Sequence, residues 1–521
     1  MSEHRTLLRS ASLITVITLL SRVLGYLRDL RFAFLLGAGV GFDAFVIAYR
    51  IPNLLRRLVG EGAVSAAFIP IFSRYLSSEN RKEAWSFANA MLTIATSAMS
   101  VVVVLGVLLS PWIVRLLAAG FLDTPGKIEL TTLLNRIIFP YILLISLSAL
   151  AMGVLNSFNK FAAPAFAPVL LNLSIIGFSF ASELFPRPEL ALAVGVVVGG
   201  VAQVLIQVPQ LRRMGWRFRP LLDFSHPGVR QAGRLLAPVV LGVGVVQVNV
   251  VVDSLFGSFL GDGAVTAIHL SDRVMELVLG GYTIAIATVI LPMMSRQAAQ
   301  NRRDEMMSTL NFASRIILFI TVPSTVGLVV LRRPIVQVLF EHGEFGPAST
   351  ELTAWPLMFF ALGLSAFSMV KVIVPAFYSL EDTKTPVKVA FVAMFLNVAL
   401  NFAFFRPLAV GGPALATTLS GFFNAATLMF IFVRREGSFG VRSILSSLVR
   451  FGLAAVPLGF LASALIHWPG FYFEQPLTQR VFALGTTIGL SAVVYFVAVS
   501  VLRCREVGEI REIFVKRRKA G

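Results

Sequence analysis

Long apolar stretches, separated by short polar connections, follow one another along the entire chain. Each is long enough to cross a hydrocarbon core of about 30 Å as a helix, and no stretch remains for a sizeable soluble domain. The pattern therefore predicts an all-α integral membrane protein with about fourteen transmembrane helices, at residues 10–36, 42–73, 86–118, 129–156, 165–184, 189–211, 229–258, 264–294, 308–331, 353–379, 386–405, 411–433, 446–467 and 480–502.

Composition and charge support this class. Hydrophobic residues make up 56% of the chain and charged residues 14%, against about 25% charged in an average soluble domain. The formal net charge is +18, and Lys and Arg concentrate in every second connection. Because cytoplasmic connections carry the excess of basic residues, we predict an even helix number, both termini in the cytoplasm and no nucleic-acid partner. The single cysteine, Cys504, excludes an intrachain disulfide.

The sequence also repeats itself. "PIFSR" at 70–74 returns as "PMMSR" at 292–296, and "NSFNKFAAP" at 156–164 resembles "YSLEDTKTP" at 378–386, in both cases 222 residues later. Six helices per copy place both copies in the same orientation, as parallel repeats around a central cavity. We predict two six-helix lobes, 1–220 and 221–440, followed by 441–521. The last two helices are interpreted as uncharged within the membrane, with an apolar role.

Charged residues inside the first two predicted helices are the strongest functional signal. A charge at the bilayer centre costs about 2.5–3.5 kcal/mol on insertion scales, so such residues face a cavity or a partner. Five arginines stand against three acids, and arginine suits phosphate and carboxylate oxygens. This surplus indicates an anion-binding cavity; ion pairs made only for assembly are the alternative. The residues are Arg22, Arg28, Arg50, Arg56, Arg57, Asp29, Asp43 and Glu61.

The second lobe adds a related segment, "SDRVMELVLGG" at 271–281. Arg273 and Glu276 lie three residues apart on one helical face, so they can form an ion pair with each other. Because this segment corresponds to the charged second helix, the other interpretation is that Arg273 faces the first lobe across the cavity.

A further polar set contains oxygen ligands of the type that suits Na⁺. The predicted ligands are Asp253, Asn397, Asn401 and Thr418, and Na⁺ is the only cofactor that the sequence suggests. Hydrogen bonds between helices explain the same residues equally well. There is no Walker A loop, HExxH motif, His/Cys metal spacing or nucleophile elbow, so we predict that the protein is not an enzyme.

Several long motifs resemble the MurJ (MviN) family of lipid II flippases, in the multidrug/oligosaccharidyl-lipid/polysaccharide exporter superfamily. They are "SRVLGYLRD" at 21–29, "DAFVIAYRIPNLLRRLVGEGAVSAAFIP" at 43–70, "FPYILLISLSALAMGVLNSFNKFAAPAFAP" at 139–168 and "FYSLEDTKTPVK" at 377–388. The resemblance implies a bacterial inner-membrane protein that moves the undecaprenyl-diphosphate-linked peptidoglycan precursor, lipid II, to the periplasmic leaflet by alternating access.

The resemblance also implies site residues. The family's arginines that bind the diphosphate and sugar headgroup fall on Arg22, Arg28, Arg56 and Arg273, and further site positions fall on Ser21, Asp43, Arg50, Asn172 and Glu276. The last two helices correspond to the family's groove for the polyprenyl tail. The implied partners are lipid II and membrane lipids, with proteins of cell-wall synthesis as candidates. The competing functions are export of another lipid-linked oligosaccharide, a membrane enzyme acting on polyprenyl phosphates, and a scaffold that transports nothing.

Overall fold

The structure, a computed structural model, describes the backbone of residues 2–56, 67–78, 80–471 and 475–509. Within these ranges it describes all side chains except those of 2–13, 55–56, 237–248, 281 and 284–285. Helix accounts for 86% of the structure, and the described ranges contain no strand. The predicted all-α class is therefore confirmed.

Ten helices in the described part of the chain are long and apolar enough to cross a membrane. Each of the fourteen predicted segments overlaps at least one helix, but four of them are not among these ten. Fourteen as the number of membrane crossings therefore stays a prediction.

The chain forms two compact units. The first comprises Met1–Thr266 and His342–Phe345, and the second comprises Ala267–Glu341 and Gly346–Gly521. The predicted lobe boundaries at 220 and 440 stay predictions. The helices of the first unit are α1 (Ser2–Leu36), α2 (Val40–Arg56), α3 (Ile69–Ser77), α4 (Arg81–Leu108), α5 (Ser110–Leu117), α6 (Lys127–Ile138), α7 (Tyr141–Ser157), α8 (Ala162–Phe180), α9 (Pro188–Leu205), α10 (Val208–Arg213) and α11 (Pro227–Ser258).

Small residues let α8 and α9 approach closely in the first unit. A Cβ atom added to Gly199 would lie 3.0 Å from the Cα of Leu171, and one added to Gly195 would lie 3.0 Å from the Cα of Ile175. The Ser174 hydroxyl donates a hydrogen bond to the carbonyl of Gly195 over 2.8 Å. Glycine at such positions allows the backbone contact that membrane helices use in place of hydrophobic burial. This contact fixes α8, and α1 packs on α8 in turn.

The second unit contains α12 (Ala264–Ala299), whose first three residues belong to the first unit, and six further helices. They are α13 (Arg303–Phe340), α14 (Pro347–Ser379), α15 (Lys384–Leu408), α16 (Gly411–Glu436), α17 (Val441–Leu465) and α18 (Leu477–Val501). Its core is built from apolar side chains of α13, α14, α16 and α17, including Phe319, Phe377, Phe432 and Phe451.

Helix ends recur with the spacing of the sequence repeat. α7 ends at Ser157 and α14 at Ser379, while α4 begins at Arg81 and α13 at Arg303; both pairs are 222 residues apart. Two left-handed backbone positions also recur at 222 residues: Asn159 and Glu381, with φ of 58° and 61°, and Gly215 and Gly437, with φ of 87° and 92°. The duplication therefore extends from the motifs to the backbone turns.

The interpretation of the last two helices as uncharged is wrong at Arg480. This arginine lies in the first turn of α18 and is 6% exposed. Its guanidinium is 3.7 Å from the carboxylate of Glu341, which also accepts a hydrogen bond from Thr350 over 2.5 Å. A buried arginine requires such an acidic partner, and the partner lies at the end of α13, too far away in sequence for local patterning to indicate it.

Candidate anion-binding site

The arginine-bearing segment of α1 is organised around Arg28. The Nε and Nη2 atoms of Arg28 donate to Oδ1 of Asp29 over 3.0 and 2.7 Å, and Nη1 donates to Oδ1 of Asn172 over 3.2 Å. The amide of Asn172, on α8, donates to the backbone carbonyl of Ser21 over 3.1 Å. The guanidinium also lies 5.7 Å from the ring centre of Phe32. Arg28 is thus held from three sides.

This arrangement leaves Arg28 suited to bind an anion. The bonds to Asp29 and Asn172 use three of the five N–H groups of a guanidinium. Asp29 and Asn172 are buried, so both partners are fixed by packing. The ion pair that we considered as the alternative interpretation is present, yet the two remaining N–H groups can still contact a phosphate oxygen.

The other first-unit arginines differ in their surroundings. Arg22 lies on α1 with an exposed side chain. Arg50, on α2, donates to the backbone carbonyl of Val250 on α11. The backbone of Arg56 ends α2, but its side chain lies outside the described part of the structure, as do Arg57 and Glu61 entirely. Contact of these residues with a substrate stays a prediction.

Asp43 forms a separate, fully buried polar cluster. Its carboxylate accepts hydrogen bonds from Nζ of Lys127 (2.8 Å), from the backbone N–H groups of Gly263 (2.8 Å) and Thr266 (2.8 Å), and from the Thr266 hydroxyl (2.7 Å). Because an aspartate offers about four acceptor sites, these bonds engage the carboxylate within the protein. The predicted contact of Asp43 with a substrate stays a prediction.

Lys127, the buried cation of this cluster, was missed by the sequence analysis. It begins α6, and its ammonium group also lies 2.8 Å from Asp262 and 4.1 Å from the ring centre of Phe121. The hydrogen bond from Lys127 holds the pKa of Asp262 below its usual range. A signal was available, because Lys127 falls in a connection predicted to lie outside the cytoplasm, where basic residues are rare.

In the second unit, Arg273 and Glu276 form the ion pair that their spacing allows. The Nη1 atom of Arg273 lies 2.8 Å from Oε2 of Glu276. Both side chains are partly exposed, 30% for Arg273 and 46% for Glu276, so this pair contributes little to stability. The predicted role of Arg273 toward the first lobe stays a prediction.

The residues proposed for Na⁺ make hydrogen bonds within and between helices. In the second unit, the amide of Asn397 donates to the Thr417 hydroxyl over 3.0 Å, the amide of Asn401 donates to Oδ1 of Asn397 over 3.2 Å, and the Thr418 hydroxyl donates to the carbonyl of Phe359 over 2.8 Å. Asp253 is buried in the first unit. The described residues contain no group of three or more His, Cys, Asp or Glu side chains placed to hold a metal ion. A Na⁺ site stays a prediction.

Comparison with protein families gives one match over most of the chain. Residues 32–493 match the family model described as "Lipid II flippase MurJ". A relative from Vibrio cholerae serotype O1, named "Probable lipid II flippase MurJ", is 37% identical over 96% of this chain and 97% of its own length. "Lipid II flippase MurJ" of Burkholderia cenocepacia is 32% identical over 94% of this chain and 96% of its own length.

Solved structures give matches of two kinds. A structure titled "Lipid II flippase MurJ, inward closed conformation" is similar with a TM-score of 0.79 and 26% identity, over 94% of this chain and 98% of that one. An inward-facing transporter of the multidrug resistance MATE family, in the MOP superfamily, is similar with a TM-score of 0.65 and 14% identity, over 82% of this chain and 98% of that one. The second likeness is one of fold.

Proposed function

The chain belongs to the family of lipid II flippases MurJ, and from that membership we propose that it translocates lipid II across the bacterial inner membrane. The substrate is an undecaprenyl-diphosphate-linked peptidoglycan precursor, carried from the cytoplasmic to the periplasmic leaflet. Translocation makes and breaks no covalent bond, so the protein is a transporter and not an enzyme. Export of another lipid-linked oligosaccharide is not favoured, because the curated relatives are named lipid II flippases over nearly full length.

The observation that carries the proposal at the level of residues is the setting of Arg28. An arginine fixed by Asp29 and Asn172, with two N–H groups left, offers a diphosphate a charged and pre-oriented contact. A cation in an apolar helix is costly, and binding an anionic headgroup offsets part of that cost. We propose that Arg22, Arg50, Arg56 and Arg273 complete this contact, with Ser21, Asp43, Asn172 and Glu276 as supporting residues.

Alternating access supplies the movement. The headgroup binds while the site is open to the cytoplasm and leaves after it opens to the periplasm, while the polyprenyl tail remains in lipid or along α17 and α18. We propose that both termini are cytoplasmic, as the distribution of Lys and Arg predicts. We further propose Na⁺, at Asp253, Asn397, Asn401 and Thr418, as a coupling ion, and cell-wall synthesis proteins as partners.

The proposal is tested in a strain depleted of its own flippase. We expect the wild-type chain to restore growth, and Arg22→Ala, Arg28→Ala and Arg273→Ala to fail while their membrane expression stays normal. Arg219→Ala is the matched control, because Arg219 is exposed in the connection after α10 and should complement fully. Full growth with Arg28→Ala and Arg273→Ala would remove the headgroup role.

A second measurement tests transport itself. Acute inactivation of the chain should lower the amount of lipid II that is accessible from the periplasmic side and raise the amount in the cytoplasmic leaflet. An unchanged distribution of lipid II would remove the flippase function. A scaffold that transports nothing would tolerate the loss of each arginine, so complementation separates it from the transporter.

A further inference from the structure

A cavity of about 870 Å³ lies within the first unit. It is bordered by α4, α7, α9, α10 and the connection after α10. Its walls are apolar, with Leu92, Leu150, Val154 and Val204 among the lining side chains. The lining residues of α4 extend from Ala88 to Thr96, two to four helical turns from the start of that helix. The cavity thus runs from the ends of the helices into the apolar depth of the unit.

The mouth of this cavity is positively charged. Arg212 and Arg217 both line it, with Trp216 between them, and both arginines are exposed. The residues that line the cavity include no Asp or Glu. Over the part of the chain that the structure describes, neither arginine has an acidic side chain within ion-pair distance. A second cavity, of about 490 Å³ beside the same segment, is lined by Arg81, Lys160 and Arg213, which extends the positive field.

The loop that carries these arginines is held in place by buried polar side chains. The indole Nε1 of Trp216 donates to Oδ1 of Asn89 over 3.1 Å, and the amide of Asn89 donates to the carbonyl of Arg217 over 3.2 Å. Further along, the backbone N–H of Leu221 donates to the hydroxyl of Thr93 over 3.0 Å. Asn89 and Thr93 are both buried. The charged mouth is therefore a built feature of the fold.

The turn at Gly215 sets the direction of the loop. With a φ of +87°, Gly215 ends α10 in the left-handed region, and the N–H of Trp216 then bonds back to the carbonyl of Leu211 over 3.1 Å. This is the usual way in which glycine closes a helix C-terminus. It brings Trp216 over the mouth of the cavity and places Arg212 and Arg217 on either side of the turn in sequence.

We propose that this cavity binds one anionic phospholipid as a resident lipid, separate from the transported substrate. One acyl chain occupies the apolar cavity, the phosphate contacts Arg212 and Arg217, and Trp216 lies at the glycerol level, where tryptophan concentrates in membrane proteins. Basic pockets between membrane helices suit anionic headgroups. Because an acyl chain is in an apolar environment in the bilayer as well, the headgroup contact determines selectivity. None of the residues proposed for the lipid II headgroup lines this cavity.

Native mass spectrometry of the full-length protein tests this site. The delipidated protein is mixed with phosphatidylglycerol or with phosphatidylcholine of the same acyl chains, and the retained lipids are counted. We expect one tightly retained phosphatidylglycerol and weaker retention of phosphatidylcholine. Since one surface arginine contributes about 1 kcal/mol of attraction to an anionic lipid, Arg212→Gln and Arg217→Gln should each weaken phosphatidylglycerol binding about fivefold.

Two further variants separate headgroup from cavity. Arg219→Gln removes an exposed charge from the same loop outside the cavity lining and should bind as the wild type does. Ala151→Phe fills the cavity from α7 and should reduce retention of both lipids, with size-exclusion profiles and melting temperatures showing that each variant folds. Equal retention of the two lipids, equal effects of Arg212→Gln and Arg219→Gln, or unchanged binding in Ala151→Phe would overturn the proposal.

A competition experiment distinguishes this site from the transport route. Adding lipid II should leave the bound phosphatidylglycerol in place. Displacement of phosphatidylglycerol by lipid II in equal molar amount would overturn the proposal of a separate site, and would leave the proposed flippase function intact.

Discussion

The ammonium group of Lys127 lies 2.8 Å from the carboxylate of Asp43, and the two side chains are 1% and 0% exposed. They are separated by 84 residues and come from α6 and α2. Removing one member of such a pair leaves a buried charge without compensation, which typically costs about 3–5 kcal/mol.

We therefore predict that Lys127→Met destabilises the protein by that amount, and that the double variant with Asp43→Asn recovers part of the loss. The measurement is the melting temperature in detergent, followed by the monomer peak in size exclusion. Lys160→Met, at an exposed lysine, is the control and should be close to neutral. A Lys127→Met variant as stable as the Lys160→Met variant would contradict the assigned role of the pair.

Asn172 orients Arg28, so changing it should alter anion binding more than folding. Asn172→Asp keeps an acceptor for Arg28 but introduces a negative charge beside it, which opposes an anionic ligand. Hydrogen bonds to charged groups contribute about 1.5–3 kcal/mol, so we expect at least a tenfold loss of affinity for an undecaprenyl diphosphate analogue, measured by calorimetry. Leu173→Ala, at the exposed neighbouring position, should bind normally. Equal affinity in the two variants would rule out this orienting role.

Glycine 199 offers a test of the close contact between α8 and α9. A Cβ atom there would lie 2.9 Å from Cδ1 of Leu171, so Gly199→Ala must displace α8. Overpacking of this kind costs about 1–3 kcal/mol. Gly177→Ala is the matched control, because nothing lies within 4 Å of its added Cβ, and alanine favours the helix by about 0.5–1 kcal/mol. The thermal stabilities of the two variants should move in opposite directions.

The segment after α18 should detach from the second unit in acid. Glu506 is buried and accepts hydrogen bonds from Arg315 over 2.6 Å and from Ser447 over 2.8 Å. Burial alone would raise the pKa of Glu506, but these hydrogen bonds outweigh it and lower the pKa. A lowered folded-state pKa means that this contribution is full above the unfolded pKa of about 4.3 and is lost as pH falls through the folded value.

Protease access to residues 502–509, measured from pH 7 to pH 3, checks this expectation. Access should increase at the acid end in the wild type and should already be high at pH 7 in Arg315→Ala. Arg442→Gln, at an exposed position of α17, should behave as the wild type does. A pH-independent profile that is identical in the wild type and Arg315→Ala would show that Arg315 does not hold the segment.

Hydropathy predicted where the helices lie, because membrane-spanning length and apolar composition are local properties of the sequence. It did not predict the interruptions. The segments 86–118 and 189–211 are each divided into two helices, and the second helix of each pair has proline at its first or second position, Pro111 and Pro209. Prolines at 323 and 356 lie inside uninterrupted helices. Neighbouring helices satisfy the freed backbone groups, so the outcome depends on packing that a single sequence does not contain.

The candidate site was predictable as a surplus of arginine but not as a set of contacts. Helical spacing suggested that Arg28 points away from the face shared by Arg22 and Asp29, yet Arg28 pairs with Asp29, because a long guanidinium side chain reaches its sequence neighbour. Its second partner, Asn172, lies 144 residues away. Lys127 and Arg480 were missed for the same reason, since each is paired with an acid far away in the sequence.

Asn159 and Glu381 hold the same left-handed backbone conformation in corresponding turns, although their side chains have diverged. Such a conformation costs a residue other than glycine on the order of 1 kcal/mol. Its retention in both halves dates the turn to the single-half ancestor, before duplication. Backbone torsion has thus outlasted amino-acid identity here, and these two turns are natural points for exchanging segments between the halves to build a protein with two identical repeats.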